Sequence, residues 1–150
     1  NVCEIFSSWL KLMRGRKGPR KLEAKTIPQL QNTLWPEFAR YIKVLHPARC
    51  YTCDKPLRLG DRDCQAGHFI PRTYSPTKFE EDNVRPQCGQ CNEFHAGRPV
   101  EFEKRLKSEI GDEAVEALKR KSTDKWKWSR TYLITKIEYY REQNREASQC

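Results

Sequence analysis

Two Cys-x-x-Cys pairs, Cys50-Tyr-Thr-Cys53 and Cys88-Gly-Gln-Cys91, stand 34 residues apart and constrain this chain more than any other feature. Each pair makes a tight turn that presents two sulfurs on one side, and four thiolates complete a tetrahedron around one zinc ion. The chain between the pairs must therefore return to where it left, so residues from about 48 to 98 form one stapled unit. The chain has seven cysteines, an odd number, and four already have metal spacing. That argues for a reducing cytoplasm rather than a disulfide scaffold. Cys3 and Cys150 are expected to be free thiols near the chain ends, and Cys64 a small core residue.

The net charge of +9 points to a polyanionic partner, with nucleic acid ahead of an acidic membrane surface. No stretch approaches the roughly 20 apolar residues of a membrane span, and the first ten residues do not read as a secretory signal. A length of 150 residues suggests one domain, taken as residues 26–150 behind an N-terminal segment and basic arm, 1–25. Charged residues make up 33% of the chain, so the core is small and a zinc staple helps to hold it.

Ile5, Phe6, Trp9 and Leu10 form a short apolar group. Lys11 to Lys25 then carries seven basic residues against the single Glu23, with Gly15, Gly18 and Pro19 interrupting any helix. It reads as a mobile arm on phosphates or as a solvated tether. Thr26 caps a helix whose apolar residues Leu30, Leu34, Phe38, Tyr41, Ile42 and Leu45 recur at helical spacing. Pro36 is expected to break or kink that run and leave a firm helix over 36–46. Residues 54–63 are turn-like, Cys64 to Pro71 has strand character, and 72–87 reads as a long polar loop. A short helix should start at the second cysteine pair, carry Asn92 and His95, and stop near Gly97. Phe102, Leu106 and Ile110 mark a helix ended by Gly111. Asp112 is expected to cap another, with Ala114, Val115 and Leu118 inward. The last helix, about 129–146, buries Tyr132, Leu133, Ile137 and Tyr140, and the polar tail from Glu142 should fray. Residues 99–146 thus make a C-terminal helical part.

Cutting a phosphodiester requires a base to take a proton from water and a cation to meet the charge that develops. His68 is the candidate base, since a neutral imidazole titrates near working pH. Asn83 is the candidate orienting residue, either accepting from the imidazole N–H or pinning the loop around it. Asn92 offers an amide oxygen, a hard ligand suited to magnesium or manganese, while the thiolates suit zinc. Arg72, Arg85 and Arg98 are candidate phosphate clamps, with His95 beside them. Tyr51, Tyr74, Phe94, Trp126 and Trp128 are candidates for stacking on unpaired bases.

Cys-x-x-Cys, then Gly67-His68, then Asn83-Val-Arg-Pro-Gln87-Cys88-x-x-Cys91-Asn92 resembles the HNH, or ββα-metal, nuclease pattern with zinc knuckles. Ala66-Gly67-His68-Phe69, Gly97 and Glu109-Ile110-Gly111-x-Glu113-Ala114-Val115 extend the likeness to the phage NinG/Rap recombination family, from about Leu34 to Arg141. The resemblance implies an α+β fold: a zinc-stapled ββα-metal core flanked by helices on both sides. It implies a magnesium-dependent, structure-selective endonuclease for branched DNA such as Holliday junctions and D-loops. That enzyme would work in a bacterial host cytoplasm and as a homodimer cutting opposed strands. His68 takes the general-base position, Asn83 the middle Asn position and Asn92 the metal-ligand position. One departure stands out: HNH enzymes of this type often carry an Asp just before the base, and here that place is Gly67. Relatives also carry an Asp three residues before the His, where this chain has Gln65. Asp63, Glu80, Glu81 and Asp82 are the substitutes in range. Two alternatives follow from the departure and the cysteines: a DNA-junction-binding module without catalysis, and a zinc-ribbon adaptor for a protein partner.

Overall fold

The computed structural model describes residues 22–149. The N-terminal apolar group, the arm up to Lys21, Cys3 and Cys150 lie outside the described residues. The architecture is mostly helical α+β, with one two-stranded sheet and a four-cysteine cluster. Among the described residues, no helix is long and apolar enough to cross a membrane.

Helix α1 spans Ile27–Leu45. Its start is a reciprocal cap: the Thr26 hydroxyl accepts from the Gln29 N–H at 3.4 Å, and the Gln29 side chain accepts from the Thr26 N–H at 2.9 Å. Contrary to the sequence expectation, Pro36 lies inside an unbroken helix. The proline forfeits one backbone bond, but Leu30 and Leu34 before it and Phe38 and Ile42 after it lie on one buried stripe. Burial of these four side chains, about 1.5–3 kcal/mol each, exceeds that loss. The stripe packs against helix α4, Arg130–Ala147, through Leu133, Ile137 and Tyr140. Leu22 joins this core, so the segment assigned to the arm is anchored there by one side chain, while Glu23 and Ala24 after it are exposed.

The tail of α4 does not fray before Ala147. Asn144 is buried and donates to the Glu37 carbonyl at 2.9 Å, and Arg141 pairs with the Glu37 carboxylate at 3.1 Å. These long-range partners turn a polar run into part of the helix interface.

Strand β1, Gln65–His68, pairs antiparallel with β2, Val84–Gln87, in the register Gln65↔Gln87, Ala66↔Pro86, Gly67↔Arg85, His68↔Val84. The expected 72–87 loop therefore ends as a strand, buried at every position. Pro86 is tolerated because a two-stranded sheet has an edge on each side. Helix α2, Pro99–Ile110, ends at Gly111, whose φ is 91°. That same glycine, not Asp112, is the N-cap of α3, Asp112–Ser122. Phe102 and Leu106 of α2 and Val115 and Leu118 of α3 close on Ile70 in a second core. The hairpin thus sits between two helical layers, with its end tied to the cysteine cluster.

Candidate active site

Cys50, Cys53, Cys88 and Cys91 place their sulfurs within 4.8 Å of one another. A regular tetrahedron with zinc–sulfur bonds of about 2.3 Å has edges of about 3.8 Å, and Cys53 Sγ lies 3.8 Å from Cys88 Sγ. Burial opposes the Cys50 thiolate, yet hydrogen bonds from the Cys88, Thr52 and Cys53 backbone and the Thr52 hydroxyl bring its pKa down to about 6. Burial first, and then the other thiols, push Cys53 up to about 12. Four such sulfurs are simultaneously ionised only around a cation, and the donor set is compatible with zinc. Cys64 is buried apart from the cluster, as a core residue.

Beside the cluster lies an open cleft of about 470 Å³, lined among others by Trp35, His68, Arg72, Asn92, Glu93 and Gly97. His68 ends β1, and its ring stacks on Trp35 of α1 with centroids 5.2 Å apart and planes 18° from parallel. Its Nε2 lies 2.9 Å from the Lys78 carbonyl oxygen. A carbonyl only accepts, so Nε2 carries the proton and Nδ1 holds the free lone pair. Burial holds the imidazole below its ordinary pKa; the Lys78 carbonyl bond works the other way, and the Arg72 and Lys78 cations add to the lowering. The ring is therefore neutral at neutral pH, as a base must be.

Asn83 does not touch the imidazole. It is fully buried, accepts from the Ile70 N–H at 2.7 Å, and donates to the Ile70 and Thr77 carbonyls at 2.9 and 3.0 Å. Of its two expected roles it fills the second, pinning the 70–83 loop that delivers the Lys78 carbonyl to His68.

The expected short helix is a five-residue π-helical turn, Gln90–Phe94, which carries Asn92 and has His95 just past its end. Asn92 Nδ2 donates to Gln65 Oε1 at 2.7 Å, while Gln65 Nε2 donates to the Glu93 carboxylate and to the Arg62 carbonyl. Those acceptors fix which end of Gln65 is oxygen, and Gln65 in turn fixes Asn92. Asn92 Oδ1 is left facing Gly67, 3.0 Å from where a Cβ on that glycine would stand. Gln65, read from sequence as a missing ligand, is thus an orienting residue.

The basic candidates separate. Arg72 is exposed in the cleft. Arg85 is 2% exposed and pairs through two nitrogens with Glu109 of α2 at 2.9 and 3.3 Å, so no phosphate reaches it. The exposed His95 caps the π-turn, and Arg98 adopts a left-handed backbone, φ 51°; neither lines the cleft. Among the aromatic candidates, Phe94, Tyr74 and Trp126 are exposed. Tyr51 packs on Phe102 and bonds Glu109 at 2.6 Å, and Trp128 packs on Phe79. The acidic substitutes are engaged elsewhere: Asp63 with Lys55 and the Gly89 N–H, Glu80 with Lys121, Glu81 with Tyr140. Asp82 is exposed and does not line the cleft. Sequence reading missed Trp35, which stacks on His68 from α1, and the Lys78 carbonyl, a backbone group that no residue type announces.

Comparison with known proteins matches the family profile described as Bacteriophage Lambda NinG protein over residues 11–149. Protein ninG of Escherichia phage lambda is 33% identical over 70 residues, covering 46% of this chain and 33% of that protein. The ninG proteins of Escherichia phage 933W and Enterobacteria phage VT2-Sa are each 31% identical over 70 residues. The match spans about a third of the length of these relatives. No solved structure gives a significant match. With the profile running through nearly the whole chain, this protein belongs to the bacteriophage lambda NinG family.

Proposed function

We propose that this chain is a zinc-stapled, magnesium- or manganese-dependent DNA endonuclease that acts on branched recombination intermediates such as Holliday junctions and D-loops. The reading rests above all on one hydrogen bond. The Lys78 carbonyl holds the His68 proton on Nε2, which leaves a basic Nδ1 on a residue that lines the same cleft as Arg72 and Asn92. The hairpin followed by the π-turn supports an HNH-like core, with His68 ending one strand and Asn92 on the turn. In that role His68 removes a proton from the attacking water, and Trp35 and the Lys78 carbonyl keep its ring from rotating. Arg72 orients a phosphate oxygen by charge and planar geometry. Asn92 Oδ1 would hold the divalent cation, which when bound supplies charge to the developing phosphate and leaving oxygens. A pair of chains would place two such clefts on opposed strands.

His68→Ala is expected to lower magnesium-dependent nicking of a synthetic four-way junction by about 10²–10⁴-fold and to leave salt-sensitive junction binding intact. A His68→Ala chain that cuts as fast as wild type sinks the assignment. The buried imidazole also sets the pH profile. Protonation removes the base, and the His68 pKa is lowered. The acid limb of kcat/KM is therefore expected below the ordinary histidine value of about 6.5, measured from pH 5 to 8. A limb at or above that value means another group is the base.

One observation favours a second reading, a zinc-containing module that binds junctions without cutting. The side chain of Asn92 offers the site a neutral carboxamide, and position 67 carries no carboxylate. Under that reading, tight salt-sensitive junction binding accompanies no product with either magnesium or manganese.

A further inference from the structure

We infer that Gln87 supplies the second protein oxygen for the divalent cation, in the place that a side chain at position 67 would otherwise take. The inference rests on the nuclease reading above and deepens it. Gln87, at the end of β2, is fully buried. Its Nε2 donates to Thr52 Oγ1 at 3.0 Å and to the Gly97 carbonyl at 2.8 Å. The Gly97 carbonyl only accepts, so the orientation of the amide is settled. Gly97 reaches this position through a left-handed backbone, φ 79°, with His95 and Ala96 between it and the π-turn. Gln87 Oε1 is then left buried with no partner among the described residues. A buried acceptor without a donor costs about 1–3 kcal/mol, so a native one calls for an occupant.

Its direction identifies that occupant. A Cβ built on Gly67 would stand 1.9 Å from Gln87 Oε1 and 3.0 Å from Asn92 Oδ1. Two carboxamide oxygens, each held by its own amide's donor bonds, therefore lie together over Gly67, with Gln87 Oε1 standing in the space that a side chain at that position would fill. Neutral oxygen donors suit a hard cation that keeps several of its waters, and the soft cysteine cluster next door retains zinc. The same distances explain why an acid is absent from position 67. A side chain there collides with Gln87, so positions 67 and 87 are alternative sources of one ligand.

The test uses the zinc-loaded chain without DNA, with free Mn²⁺ followed by electron paramagnetic resonance. Asn92→Ala and Gln87→Ala are each expected to weaken Mn²⁺ binding by at least about tenfold with zinc content unchanged. Gly67→Asp combined with Gln87→Ala is expected to recover or exceed wild-type affinity, because the carboxylate then enters the vacated space. On the wild-type chain, saturation with Mg²⁺ is expected to shift the side-chain carbonyl ¹³C signal of Gln87 and not that of Asn144 on α4. This measurement decides the matter if Gln87→Ala fails to fold. A folded Gln87→Ala chain with wild-type Mn²⁺ affinity, or an unmoved Gln87 signal beside a shifted Asn92, overturns this inference alone and makes the occupant a water. If the wild-type chain binds no Mn²⁺ and neither signal moves, the inference and the nuclease reading fall together.

Discussion

Removal of zinc is expected to open residues from about 48 to 98 while leaving α1 and α4 helical. Cys50, Cys88 and Cys91 form their own buried cluster, and Leu57 is the apolar side chain packed against it. Without an ion, that patch is too small to hold the Cys50 turn against the end of β2. Structural zinc in small peptides brings an apparent binding energy of about 10–16 kcal/mol, against a total domain stability of about 5–15 kcal/mol. The hairpin unit is therefore not expected to survive as a softened version of itself. The α1–α4 core of Leu30, Leu34, Phe38, Ile42, Leu133, Ile137 and Tyr140 contains no cysteine. Chelation should then abolish protection at the Tyr51 N–H, which bonds the Pro86 carbonyl at 2.8 Å, and at the Gly97 N–H, which bonds the Cys91 carbonyl at 2.8 Å. Amide exchange by mass spectrometry, paired with far-ultraviolet circular dichroism, measures both halves of the expectation. A metal-free chain with native protection at these amides would show that the cysteines are not the staple.

The cysteine cluster was legible because its signal is local: two pairs, each with its own turn. The stripes of α1, α2 and α4 were legible for a similar reason, since helical periodicity is written within a few residues. Strand β2 was not. Val84-Arg85-Pro86-Gln87 contains a charge and a proline and is buried at every position, so it shows neither alternation nor an apolar run. Arg85 looked like a phosphate clamp because Glu109, the group that neutralises it, comes from α2, 24 residues on. Asn144 looked like part of a fraying tail because Glu37, its partner, lies 107 residues away in the sequence. In the candidate site, residue types were legible and their division of labour was not. The substitution of Gln87 for a side chain at position 67 is a relation between two strands, visible only once the register Gly67↔Arg85 is known. What the sequence hid was in each case a pairing across long separation, where burial changes the meaning of a polar residue.

Asn83→Ala should be the most damaging single change outside the cysteines. The residue is fully buried and its side chain meets three backbone groups, the Ile70 N–H, the Ile70 carbonyl and the Thr77 carbonyl. Truncation leaves all three without partners, and at about 1–3 kcal/mol for each unsatisfied group the expected loss is roughly 3–5 kcal/mol after partial rehydration. That corresponds to a fall in Tm of order 10 °C for a domain of this size. Asn83→Asp keeps the acceptor for the Ile70 N–H but turns a carboxylate oxygen toward two carbonyls, so it should be no milder despite its identical shape. The catalytic consequence is separable from the stability loss. Thr77 adjoins Lys78, whose carbonyl sets the His68 tautomer. A loosened loop lets the imidazole place its proton on either nitrogen and removes the free base from part of the population. Measured well below the variant's Tm, kcat for junction nicking is expected to fall at least tenfold with junction affinity unchanged, because Arg72 and the basic surface do not depend on that tautomer. A variant that loses stability and keeps wild-type kcat would mean that the Lys78 carbonyl does not govern the base, and the role given to His68 would lose its physical support.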